Sequence, residues 1–189
     1  MEFITQLWMP IVLSAVLVFI ASAVLWMATP LHKKDYSTPP DESVILNALR
    51  SVPFPPGMYF MPWCRGGKEM KDAQVQARMK EGPWALMIIP NGAPSFGRSL
   101  FQWFVTLLVI SVFVAYLAHA TIKMGDGAPD YLHVFRVVGA AAFLAQAGMA
   151  SHDSIWKGAP WRQAAVKVFD GLVYALVTAG VFGWLWPRG

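Results

Sequence analysis

Four long apolar runs separated by polar stretches organise the chain, at residues 7–28, 100–121, 133–150 and 166–186. Each is close to the ~20 residues that a helix needs to cross about 30 Å of hydrocarbon, so the pattern predicts four transmembrane helices. Between the first two runs, from 30 to 98, hydropathy collapses and a separate module is expected. Within it, Asp41 and Glu42 precede an amphipathic spacing at Val44, Ile45, Ala48 and Leu49, which predicts a short helix with acids in its first turn. A second helix is predicted from Glu69 to Lys80. The runs 57–61 and 84–89 are apolar and bounded by Pro and Gly, which favours two strands paired as a ribbon. The fold class is therefore an all-α integral membrane protein, a four-transmembrane-helix bundle with a small α+β module between helices 1 and 2. The remaining polar segment, 151–165, is a turn between helices 3 and 4.

Charge sets the expected orientation. Of the 15 Lys and Arg, 12 lie in 30–98 or around the 151–165 turn, including Lys167 at its membrane edge. By the positive-inside rule these segments face the cytoplasm and both termini face outward. The first run lacks a basic start and carries Lys33 and Lys34 after it, so it is expected to be an uncleaved anchor. The net charge of +4 needs no nucleic-acid partner, because the basic residues flank the spans. The partners expected are the lipid bilayer and either further membrane subunits or a second copy of the chain.

Packing signals are strongest in the last hairpin. Gly171, Ala175, Ala179 and Gly183 recur at i+4 in the fourth span and form a small-residue stripe that admits a close helix neighbour. The third span is equally rich in Gly and Ala, so the two are expected to pack at short distance.

The chain's candidate chemistry is sparse. A lone cysteine, Cys64, excludes an intramolecular disulfide and offers no evident base for a nucleophile. His152, Asp153 and Ser154 supply the residue types of a hydrolytic triad, but consecutive residues on a helix end point apart. Asp153 or Ser154 is instead expected to cap a short helix, with Pro160 opening the next.

Arg136 and Asp170 lie inside apolar spans, where ionisable groups attract functional attention. Their depths place them near opposite membrane surfaces. Arg136 is expected to reach Asp126 or Asp130, and Asp170 to reach Lys167, Arg162 or the Tyr174 hydroxyl. Depth also groups the histidines, His119 with His133 at one end and His32 with His152 at the other. Paired imidazoles permit haem b or metal ligation, although no catalytic set or dedicated metal motif is evident and binding of no cofactor is the simpler expectation.

The combination of Leu31-His32-Lys33-Lys34-Asp35-Tyr36, Phe135-Arg136-Val137-Val138-Gly139, Asp153-Ser154-Ile155-Trp156-Lys157-Gly158 and Asp170-Gly171-Leu172-x-Tyr174 resembles a family of small bacterial inner-membrane proteins. The likeness runs over nearly the whole chain and implies a four-span protein of the bacterial inner membrane. It carries no activity, cofactor or site residue. The function expected is a non-enzymatic scaffold, accessory or assembly subunit of a larger membrane complex. The alternatives are a redox or ligand-binding protein using the paired histidines, and a small oligomeric transporter.

Overall fold

The computed structural model describes residues 2–187, of which the largest part is helical. Four of its helices are long and apolar enough to cross a membrane. The chain divides into two compact units, 1–37 with 96–189, and 38–95.

The first unit is the helical bundle. Helix α1 (Glu2–Ala23) starts five residues before the apolar run does, and Leu7 leaves helical geometry within it (φ −111°, ψ 16°). Pro10 explains the kink, since its ring crowds the carbonyl four residues earlier and it donates no hydrogen bond. The last turn of this span widens into a π-helix, Val24–Ala28. Helices α4 (Phe96–Thr121), α5 (Tyr131–Ala147), α6 (His152–Lys157) and α7 (Trp161–Leu185) complete the unit. Asp130 caps α5 by accepting the His133 amide at 3.0 Å. Helix α7 follows Pro160, as the sequence predicts.

The short helix before it is capped differently from expectation. Ser151 precedes it without a side-chain cap bond. Asp153 lies inside it, where its carboxylate pairs with Lys157 at 2.7 Å and Lys167 at 3.0 Å. Gly158 ends the helix in the left-handed region (φ +70°), a conformation that favours glycine.

The most extensive pairing in the bundle is between α5 and α7. All four residues of the small stripe are buried. A β-carbon added at Gly171 would lie 2.7 Å from that of Ala147, and one at Gly183 would lie 2.7 Å from the Tyr131 ring. Such approaches are closer than carbon atoms tolerate, so glycine is what lets these helices meet. Helix α1 closes the bundle against α4 and α7. Leu7, Val114, Val134, Val138 and Phe182 form its most deeply buried apolar core. At the far end of α7 the Trp186 indole donates to the Lys123 carbonyl at 3.0 Å, tying the helix end to the link after α4.

The second unit consists of α2 (Glu42–Ser51), a 3-10 turn (Glu69–Lys71), α3 (Ala73–Glu81), β1 (Gly57–Met61) and β2 (Ala85–Ile89). The helix predicted over 69–80 is broken at Asp72. That residue adopts an extended conformation and caps α3 by accepting the Gln74 and Val75 amides. The two strands pair antiparallel, Met58 opposite Ile88 and Phe60 opposite Leu86.

Asp41 caps α2 by accepting the Val44 amide at 3.1 Å and the Ser43 hydroxyl at 2.9 Å. These bonds hold its carboxyl below the usual carboxylate range. The cap's contribution is therefore fully present above that range and lost as pH falls below it, through the lowered folded-state value. Protection of the Val44 amide, its exchange rate taken relative to the intrinsic rate at each pH, is expected to fall on strong acidification, and to be lost at every pH in Asp41→Ala.

Gly171→Ala is expected to destabilise the bundle by about 1–3 kcal/mol through overpacking against Ala147. Gly180→Ala, whose β-carbon would sit 3.8 Å from the Tyr131 hydroxyl, is expected to be neutral or slightly stabilising. Thermal unfolding in detergent distinguishes the two.

Candidate functional site

At the end of the bundle where α1 stops and α7 starts, a short loop folds back onto α7. Pro30 ends the helical path, and the Thr29 hydroxyl accepts the Leu31 amide at 3.3 Å. The Asp35 amide donates to the His32 carbonyl at 3.0 Å, which turns both side chains to the same side. In the first turn of α7, Arg162 donates to the Leu31 carbonyl and, at 2.9 Å, to Asp35 Oδ1. Gln163 Nε2 donates to the Asp35 carbonyl at 2.6 Å. The loop is thus fastened to α7 by two consecutive side chains.

His32 occupies the centre of this arrangement. Its Nδ1 lies 2.6 Å from Asp35 Oδ2, and its Nε2 lies 3.0 Å from Asp170 Oδ2. The first contact is a well-formed hydrogen bond. The second has ion-pair distance without hydrogen-bond alignment, and Asp170 Oδ1 has no hydrogen-bond partner among the described residues. The Trp26 indole, carried by the π-helical turn, stacks on the imidazole with ring centroids 3.8 Å apart and planes 7° from parallel. His32 is 8% exposed and Asp170 5%, whereas the Arg162 side chain is 40% exposed. The row Arg162–Asp35–His32–Asp170 therefore runs from the rim of the bundle into its interior.

Charge balance follows from the residue types. Two carboxylates and one guanidinium leave one negative charge, and a protonated imidazole makes the group neutral. Buried ions persist only when paired in this way.

Farther along α7 the polar character continues. Asp170, Tyr174 and Thr178 recur at i+4 beside the stripe of small residues, and all three are buried. Thr178 donates to the Tyr174 carbonyl at 2.8 Å. Near Thr178, the hydroxyls of Ser14 and Ser111 bond across α1 and α4 at 2.7 Å. A cavity of about 10 Å³ lies between these residues and Gln146, whose buried Oε1 has no partner among the described residues. That space suits a single water molecule. Beyond it, the core is apolar.

Several site residues singled out from the sequence lie elsewhere. Asp170 pairs with His32 instead of Lys167 or Arg162, because Lys167 is taken by Asp153 and Arg162 by Asp35. Arg136 is exposed on α5 and forms no ion pair with Asp126 or Asp130 among the described residues. His152 lies beside Asp153 at 3.6 Å, while both nitrogens of His32 face carboxylates, so these two histidines do not make a bis-imidazole site. At the opposite end, His119 packs near Phe3 and lines an open depression of about 400 Å³ with Glu2, Gln6 and Lys123. The exposed His133 is not part of that lining. Among the described residues, no group of three or more His, Cys, Asp or Glu is arranged to hold a metal ion.

Trp26, Asp35, Gln163, Ser14, Ser111, Gln146 and Thr178 are site residues that the sequence pattern did not single out. Two signals were available: the His32–Asp35 spacing within one turn, and the polar i+4 series Asp170, Tyr174, Thr178 inside an apolar span. Comparison of the chain with protein families, curated proteins and solved structures finds no match.

Asp35→Ala removes the acceptor shared by His32 and Arg162 and is expected to destabilise the bundle by about 1–3 kcal/mol. Tryptic cleavage after the exposed Lys33 and Lys34 should accelerate severalfold. Combining it with Arg162→Ala should cost less than the sum of the two single changes.

Proposed function

We propose that the protein is a non-enzymatic scaffold or assembly subunit of a larger membrane complex, and that residues 38–95 are its docking module. The observation that carries this reading is the surface of that unit. Val75 is the one buried residue among those described in it, and all ten residues of the ribbon, GMYFM and ALMII, lack charge and remain at least partly exposed.

In an antiparallel pair, opposed residues share a face. Met58, Phe60, Leu86 and Ile88 therefore form one apolar face, and Tyr59, Met61, Met87 and Ile89 contribute to the other. Trp63 and Trp84 add exposed aromatic area. A two-stranded ribbon is marginally stable alone, and apolar patches of this kind mark interaction surfaces. Aromatic and Met side chains are also the residue types enriched at protein interfaces.

The charge distribution supports the accompanying topology, a multi-pass protein of the bacterial inner membrane with 38–95 in the cytoplasm and both termini outside. The buried small-residue stripe is occupied by α5, which directs the search for a partner to the module.

Purification from native membranes in mild detergent should yield a stoichiometric protein partner. Met58→Glu with Ile88→Glu should reduce its recovery at least tenfold while leaving the thermal unfolding of the bundle unchanged. A photo-crosslinker at position 88 should label that partner. Exclusive labelling of lipid, or isolation of a partner-free species, overturns the proposal.

A further inference from the structure

We propose that His32 is a proton-exchange site, passing a proton between Asp35, which lies just beneath the exposed Arg162, and Asp170 deeper in the bundle. An imidazole held between two carboxylates can accept a proton on one nitrogen and release one from the other. Here the contacts are 2.6 Å at Nδ1 and 3.0 Å at Nε2, and they lie along a row that begins at the half-exposed Arg162.

The transfer is balanced without any further reactant. It begins with a proton on Asp35 Oδ2, neutral His32 protonated at Nε2, and ionised Asp170. The Asp35 O–H bond breaks as an N–H bond forms at Nδ1. The Nε2–H, 3.0 Å from Asp170 Oδ2 but out of line with it, comes into line by a small tilt of the Asp170 carboxylate, and the N–H bond breaks as an O–H bond forms at Oδ2. One proton has moved inward, and His32 is neutral again as the other tautomer.

Two features make this a reversible loading step. The Trp26 indole stacked on the imidazole opposes the ring turn that would reset the tautomer in place, so reset occurs by return of the proton along the same path. The interior side is closed by Leu7, Val114, Val138 and Phe182, which are at most 2% exposed. The polar lane through Tyr174 and Thr178 to the Ser14–Ser111 cavity stops at that core. Protons thus enter and leave from one end.

The groups facing His32 are few. Asp35 belongs to its own loop, Asp170 comes from α7, and Trp26 covers the ring from the π-helical end of the first span; behind them, Arg162 of α7 pairs with Asp35, and Tyr174 of α7 lies near Asp170 and Trp26. Helix α4 contributes the non-titrating Trp103, which packs near Tyr174. Lys167 faces Asp153 of α6.

The test is infrared difference spectroscopy of the full chain in lipid bilayers, with carboxyl-labelled aspartate, as the medium is acidified stepwise. A protonated carboxylic-acid band should appear on acidification and be absent in Asp170→Asn. It should rise at least tenfold more slowly after a pH jump in Asp35→Asn, which retains the His32–Asp170 contact. Absence of a pH-dependent acid band in the wild type overturns the proposal without recourse to any variant. Persistence of the band in Asp170→Asn, or an unchanged rate in Asp35→Asn, does so as well.

Discussion

The contact on which the bundle depends is the approach of α7 to α5 at Gly171 and Ala147, where the space for a single added carbon is missing. Association of helices in a membrane draws on packing, because lipid is as apolar as the side chains themselves. Small residues spaced at i+4 therefore determine which surfaces meet. Once α5 occupies that stripe, the neighbouring stripe of α7 is fixed in direction, and Asp170, Tyr174 and Thr178 are turned toward the interior. The polar row is a geometric consequence of the apolar one.

That orientation explains why the buried charges need a loop. Asp170 enters the bundle two turns inside α7, and among the described residues no cation of α5 pairs with it. The chain supplies compensation from 29–37, where a proline-stopped helix end and a one-turn loop bring His32 and Asp35 inward. Arg162 and Gln163 then hold the loop from the rim. Removing any one member leaves another without its counterpart, the situation that makes buried polar groups costly.

The spans were legible because hydropathy over ~20 residues is a strong signal, and the ribbon because two short apolar runs were punctuated by Pro and Gly. The helix limits were less so. Phe96–Ser99 and Trp161–Ala165 continue their helices beyond the apolar runs, since backbone hydrogen bonding does not stop where hydropathy falls. Depth alone grouped His32 and Asp170 at one end, yet the partners assigned to Asp170 were neighbours within three to eight residues. Arg162 and Asp35 are 127 residues apart, and no periodicity carries information across that separation. The broken helix at Asp72 was a local signal left unread, an aspartate placed where it can cap a new helix.

The same separation has a consequence for biosynthesis. His32 and Asp35 emerge from the ribosome with the first span, whereas Arg162 and Asp170 arrive only with the last. Until α7 is made the first half of the ionic row has no counterpart, and a chain that stops short of α7 keeps its loop unfastened. Completion of the row thus requires the fourth span, and it distinguishes a bundle of four spans from one that contains only three.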